Sequence, residues 1–173
     1  MVKKKTKFVT SKELLEATKK VLEERGIDLS RVSELVYNLQ KPYSAELEFS
    51  TCEKAVEEVL MKRELQHAIL VGAELDRLAE ERKLSEPLQS LIEQDEGLFG
   101  VDETLAIGAT FTYGSIAVTT FGYLDKEKQG IIKELDTTED SVNTFMDDLV
   151  GSIAANAAAR VAHRTRDELE KEE

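Results

Sequence analysis

The 173-residue chain has no tryptophan, one cysteine and two prolines. A lone cysteine, Cys52, cannot form an internal disulfide, so the fold must rest on its core, as suits a reducing compartment. So few prolines, with few β-branched runs, leave long helices uninterrupted. Basic residues are the scarcer sign: Lys and Arg total 23 against 35 Asp and Glu, a formal charge of −12. That balance repels phosphate backbones and argues against nucleic acid as the ligand, while an acidic protein still handles phosphates where metal ions intervene. Long hydrophobic runs are also missing. The longest unbroken apolar run, about Ala68 to Ala73, falls far short of the roughly 20 residues that span a bilayer, so no crossing is expected. The opening "MVKKKTKFVTSKELL" has lysines without an apolar segment behind them, which does not read as a secretion signal and predicts a cytoplasmic protein. Lys3, Lys4, Lys5 and Lys7 make residues 1–10 a basic arm, either solvated or a peripheral contact with the anionic inner membrane surface.

What is abundant is Leu, Ala, Glu, Lys and Arg, and the pattern predicts an all-α, single-domain multi-helix bundle over 11–164 with a charged, solvated tail at 165–173. In "SKELLEATKKVLEERG", Ser11 is a cap and Gly26 a stop around an apolar stripe of Leu14, Leu15, Ala17, Val21 and Leu22. Asp28 or Ser30 caps a second helix that ends before Pro42. From Ser50, capped with Glu53, helical periodicity persists to Lys83 as one bent helix or two. A short helix runs from Ser85 and Pro87 to about Glu93. Gly97 and Gly100 then break "EQDEGLFGVDE" into a turn. "DETLAIGATFTYGSIAVTTFGYLD" reads as a buried helix, and Thr137, Thr138 or Ser141 caps a last, small-residue-rich helix.

That last helix carries adjacent acids, Asp147 and Asp148, within "NTFMDDLVGSIAANAAAR". At about 100° per residue, Val142, Phe145, Met146, Leu149, Val150 and Ile153 share one face, the expected core stripe. Asp147 falls off it, in line with Gly151, Ala154 and Ala158, a row that lets another helix or another subunit approach closely. Asp148 lies further round, beside Ser152 and Ala155. A buried carboxylate must be paired, protonated or metal-bound, and no Lys or Arg lies within four residues of Asp147. Acids able to complete a metal site are Asp95, Glu96, Asp102 and Glu103 around the Gly-broken turn, and Asp125 in "FGYLDKEK". Such oxygen-only ligands suit Mg²⁺; exposed or structurally paired acids are the alternative.

"FGYLDKEKQGII" and "TFMDDLVGSIAA" together resemble the phosphatidylglycerophosphatase A family, in which a Leu-Asp-x-x-Lys-Pro segment precedes an apolar-Asp-Asp-apolar-Val helix. Asp125 and Lys128 match the first motif, Asp147 and Asp148 the second, and the family's upstream Asp-Glu matches Asp95–Glu96 by spacing or Asp102–Glu103 by local pattern. The likeness covers roughly 93–160 and is closest to the soluble branch that includes the low-temperature-requirement C proteins. The family's Lys-Pro is Lys128-Gln129 here, and its Gly-Thr-x-Gly-Ser motif survives only as "TYGS", 112–115. The resemblance implies Mg²⁺-dependent removal of phosphate from phosphatidylglycerophosphate, a phospholipid phosphate. It implies that Asp147, Asp148, Asp125 and Asp95 or Glu96 hold metal or activate water, with Lys128 on the phosphate. Asp102 and Glu103 are the less favoured ligands.

Other phosphatase designs are missing. Cys52 has no Arg six residues on, and no Gly-rich loop ends in Gly-Lys-Ser/Thr. Ser115 lacks a nucleophile elbow's second glycine, His67 reads as a core hydrogen-bonding residue, and His163 as a favourable partner for a helix C-terminus or simply exposed. A homo-oligomer is expected. Competing readings are a non-catalytic helical oligomeric or regulatory protein, and a phosphatase for a soluble phosphate ester.

Overall fold

The computed structural model describes residues 8–172; the lysines of the N-terminal arm lie outside this range. Among the described residues there is no strand, and nine α-helices form the fold: α1 (Ser11–Glu24), α2 (Leu29–Gln40), α3 (Phe49–Val59), α4 (Arg63–Glu80), α5 (Leu88–Glu93), α6 (Val101–Thr110), α7 (Gly114–Glu127), α8 (Ile131–Thr137) and α9 (Met146–Glu172). Single 3₁₀ turns, Lys41–Tyr43 and Phe111–Tyr113, join α2 to α3 and α6 to α7.

The architecture is a ring of helices around α9. Residues 143–159 are buried without a break, and α2, α3, α4, α6, α7 and α8 all pack on that stretch. A helix buried on every side needs small residues wherever a neighbour comes close. Gly151 is such a place: a Cβ there would lie 3.4 Å from the Phe121 ring of α7. Gly72 is another, where a Cβ would lie 2.4 Å from Leu149 Cδ1 and 2.9 Å from Phe145 Cβ, so α4 lies against α9 only because position 72 is bare. The row Asp147–Gly151–Ala154–Ala158 therefore packs within the chain and is not a free surface for a second subunit. Leu149, Val150 and Ile153 fill the remaining space, each contributing about 1.5–3 kcal/mol by burial.

Several helix ends differ from the sequence reading. Thr10, not Ser11, caps α1, in a reciprocal box: Glu13 N–H donates to Thr10 Oγ1 at 3.2 Å and Thr10 N–H to Glu13 Oε2 at 2.9 Å. Asp28 caps α2 through Ser30 N–H at 2.8 Å. Ser50 lies inside α3, whose cap position is Glu48, so the expected Ser50–Glu53 box is not used. The long periodic stretch is two helices, divided at residues 60–62. The charged tail is carried as the last turns of α9.

The largest difference is at 101–127. This stretch is helical but interrupted by the 3₁₀ turn and by Gly114 at φ +75°, a left-handed conformation that glycine tolerates, and α7 turns back along α6. Both ends thereby reach one place, although a straight helix of that length would hold them about 40 Å apart. The stretch is not the buried helix expected: Ala117, Phe121 and Leu124 face the core while Phe111, Ile116 and Tyr123 are exposed. By length and composition alone the stretch is apolar enough to span a bilayer, a test that the core helix of a soluble protein also passes. Its apolar residues are interleaved with Thr, Ser and Gly, so no unbroken run advertises it.

Candidate functional site

α9 begins at Met146, later than Thr137, Thr138 or Ser141 as caps would place it, because 131–137 form a separate helix. This shift changes the meaning of the acid pair. Asp147 and Asp148 sit in the first turn of α9, where unpaired N–H groups and the helix dipole favour negative charge. Asp147 Oδ1 accepts the Asp148 N–H at 2.8 Å. The preceding N–H groups are taken by Asp76 of α4, whose carboxylate accepts from Phe145 N at 3.1 Å and Met146 N at 3.0 Å. Arg25 and Glu80 fasten the entry loop: Arg25 donates to the Val142 carbonyl and to Asn143 Oδ1 at 2.9 Å, and Glu80 accepts the Val142 N–H at 2.9 Å. The first turn of α9 is thus fixed from two helices.

The cation missing from the acids' own neighbourhood arrives from the end of α7. Lys128 ends that helix in a left-handed conformation, φ +44°, and its Nζ lies 2.6 Å from Asp147 Oδ2, 3.3 Å from Asp148 Oδ1, 3.1 Å from Asp125 Oδ1 and 3.7 Å from Asp136 Oδ1. Burial would lower the Lys128 ammonium, but Asp147 and Asp148 outweigh it and hold the group protonated. On the far side of Asp148, Asp102 and Glu103 come in from the first turn of α6, and one ligand oxygen from each of the three lies within 4.8 Å of the others. Gly100, at φ +60°, makes the turn that sets these acids at the head of α6. Glu103 Oε2 is buried and has no hydrogen-bond partner among the described residues.

Four carboxylates thus face one ammonium, with Asp102 and Glu103 behind Asp148, and the balance is met partly by protons. Burial raises Asp148 to about 9, reinforced by Asp147; burial raises Asp147 to about 6 against the opposing pull of Lys128. Burial likewise raises Asp102 to about 7, with Glu103 adding to the effect. Asp95, in a left-handed turn at φ +48° and open to solvent on one side, is raised by partial desolvation despite Lys128. It lines a cavity of about 130 Å³ with Asp136, Asn143, Thr144 and Asp147.

The structure gathers Asp95, Asp125, Lys128, Asp147 and Asp148 at one place. Of the two upstream pairs, Asp102–Glu103 reaches Asp148, whereas Glu96 stays in its own turn, accepting the Leu98 N–H at 3.1 Å. Asp76 and Asp136 were missed. Asp76 was legible, since it continues the core stripe Leu65, Ile69, Gly72 of α4, where an acid needs a reason; Asp136 had no local signal. His67 is exposed rather than bonded in the core, and His163 and Ser115 are exposed too. Cys52 is buried, and burial pushes its thiol up to about 11, leaving it unreactive.

The donor set fits a hard divalent cation. It is all oxygen, partly protonated when cation-free, and includes a buried carboxylate oxygen with nothing to bond.

A ring of helices around a central one, with carboxylates from three of them converging on its first turn and a single lysine among them, defines an all-α protein with an acidic centre at a helix head. Residues 29–163 match the family model for phosphatidylglycerophosphatase A, and the chain belongs to that family. It is 48% identical over 167 residues to the uncharacterized protein YpjQ of Bacillus subtilis, covering 96% of this chain and 94% of YpjQ. It is 53% identical over 146 residues to the uncharacterized protein YutG of the same organism, covering 84% of this chain and 88% of YutG. Among solved structures, that of YpjQ matches with a TM-score of 0.88 at 48% identity over 92% of this chain and 99% of that one. The low temperature requirement C protein from Listeria monocytogenes matches with a TM-score of 0.87 at 46% identity over 91% of this chain and 99% of that one.

Proposed function

We propose that the chain is a Mg²⁺-dependent phosphatase that hydrolyses phosphatidylglycerophosphate to phosphatidylglycerol and phosphate at the cytoplasmic face of the membrane. Family membership supports the reaction class. The observation that carries the site is the Asp102–Glu103–Asp148 cluster with its unpartnered Glu103 Oε2, set beside a lysine that can meet an anion.

Asp102, Glu103 and Asp148 would hold the cation, with Asp147 and Asp125 bonding directly or through water. Bound there, Mg²⁺ supplies charge neutralisation on the phosphoryl oxygens and a more acidic water. Lys128 leaves part of its carboxylate ring to bind a phosphoryl oxygen, an exchange of one anion for another that costs little desolvation. Asp95, at the solvent-open rim, accepts a proton from the attacking water as its oxygen bonds to phosphorus and the ester P–O bond breaks. The leaving glyceryl oxygen takes a proton from solvent water, and Asp95 returns its own proton to solvent, which restores the site.

Phosphate release from phosphatidylglycerophosphate, measured with and without Mg²⁺, tests the reading. The wild type should release phosphate only with the cation, and Asp147→Asn should abolish release while keeping its helix content. Unchanged turnover in that variant overturns the site; no release by the wild type with any divalent cation overturns the reaction. A water-soluble ester that is turned over in place of the lipid would move the assignment to soluble substrates.

A further inference from the structure

Among the described residues, Lys128 makes every ion pair of Asp125, Asp136, Asp147 and Asp148. The side chains of Asp147 and Asp148 are 5% and 4% exposed, whereas that of Lys128 is 25% exposed, so the ammonium keeps a way out to solvent. Asp148 is the point of conflict. Its Oδ1 lies 3.3 Å from Lys128 Nζ, and the same carboxylate offers an oxygen to the Asp102–Glu103–Asp148 cluster, where Glu103 Oε2 is buried without a partner. A divalent cation on that cluster and an ammonium against the same carboxylate are like charges, poorly screened where the acids are buried. The backbone of Lys128 is fixed at the end of α7, where its N–H donates to the Leu124 carbonyl at 2.8 Å. Its flexible aliphatic stem can still carry the ammonium away from the acids without moving that helix.

We propose that Lys128 is an internal competitor for the divalent cation: it neutralises the acids while the centre is empty, yields Asp148 and Asp147 when the cation arrives, and thereby couples cation binding to anion binding. The inference rests on the reading of a cation site at the head of α9 and adds what the cation must displace. With the ammonium in place, the apparent affinity for the cation is reduced by the fraction of molecules in which the lysine is away. A minor state of roughly 0.1–10% makes that reduction at least about tenfold. A monovalent ion brings no more charge than the ammonium it would replace, so the competition favours divalent ions. The displaced ammonium has lost its partners, and a phosphate group beside the cation supplies new ones. Such an anion lowers the cost of moving Lys128 and tightens the cation, and by linkage the cation tightens the anion to the same degree. A purely structural ion pair predicts the reverse, since its loss would loosen the acids and weaken whatever binds between them.

Calorimetric titration of the full chain with MgCl₂, in the absence of substrate, provides the test. Lys128→Met should bind Mg²⁺ at least roughly tenfold more tightly than the wild type. Lys128→Gln, which keeps an amide donor among the acids, should also bind more tightly. Without cation, Lys128→Met should melt below the wild type because its carboxylates have lost their counter-charge, and MgCl₂, but not NaCl at equal ionic strength, should restore its midpoint. If the variant needs the cation to fold at all, the return of its helical circular-dichroism signal with MgCl₂ reads the same effect. Inorganic phosphate, with free Mg²⁺ corrected for its phosphate complex, should tighten Mg²⁺ binding by a larger factor in the wild type than in Lys128→Met. Wild-type affinity or weaker binding in both variants overturns the proposal while leaving the cation site standing, because the wild type still binds. An equal effect of phosphate on the wild type and Lys128→Met overturns the coupling. No saturable binding by any of the three proteins overturns the proposal together with the cation site.

Discussion

Asp76 and Asp148 are both buried carboxylates raised well above the ordinary acid range, to about 8 and about 9, and both meet the first turn of α9. Their surroundings set them apart. Asp76 spends its oxygens on the N–H groups of Phe145 and Met146, a closed account in which every strong donor nearby has its acceptor. Asp148 has the Lys128 ammonium at 3.3 Å and otherwise faces Asp102 and Glu103, groups that repel it. Burial alone does not mark a functional acid; what marks it is burial beside like charge, with acceptors in excess of donors. By that test Asp76 is an anchor and Asp148 is part of a centre awaiting a cation.

The contrast can be broken by substitution. Asp76→Ala should cost the most, roughly 3 kcal/mol or more, because two buried N–H groups lose their acceptor; thermal unfolding would show it, and Asp76→Asn, which keeps one acceptor oxygen, should cost less. If Asp76→Ala leaves stability unchanged, the anchor role is wrong. Next comes Gly72→Ala, whose methyl must displace Leu149 and Phe145 and with them the register of α4 on α9, at about 1–3 kcal/mol. Asp148→Asn should do the opposite of Asp76→Ala: without Mg²⁺ the folded state no longer has to hold a proton or a like charge there, so stability should rise by about 1 kcal/mol or more at pH 9, read by thermal unfolding, while phosphate release is lost. A destabilised Asp148→Asn would place this residue with Asp76 as a structural acid.

A slope with pH tests the whole set of buried acids at once. Asp76, Asp102, Asp147 and Asp148 all have folded values raised above the unfolded value of about 4. Above pH 4 the unfolded chain has released these protons while the folded chain retains them. Cation-free stability therefore falls as pH climbs from about 4 towards 9, and denaturant unfolding across that range should show the decline. Mg²⁺ should flatten the part due to Asp102, Asp147 and Asp148 and leave the part due to Asp76.

Much of this was legible in the sequence. The all-α class, the encircled last helix and the gathering of Asp125, Lys128, Asp147 and Asp148 follow from periodicity, from a row of small residues and from the resemblance to the family. What could not be read was set by tertiary choices. The start of α9 depends on Asp76 and Arg25, which cap it from distant helices, so local capping signals at Thr137, Thr138 and Ser141 misplaced it by several residues. Asp102–Glu103 rather than Glu96 reaches Asp148 because Gly100 opens α6 at the centre, a backbone event with no side-chain signature. The amphipathic character of 101–127 was hidden because Thr and Gly break its apolar runs in sequence while the helical turn realigns them in space.

The central claim is that the acids at the head of α9 hold a divalent cation. Titration calorimetry with MgCl₂ at pH 7, in two buffers of different ionisation enthalpy, tests it most directly. The account predicts saturable binding with net proton release, as Asp148 and part of Asp102 give up their protons, and loss of both in Asp148→Asn. Absence of saturable binding, or the same affinity and proton release in Asp148→Asn, would contradict it.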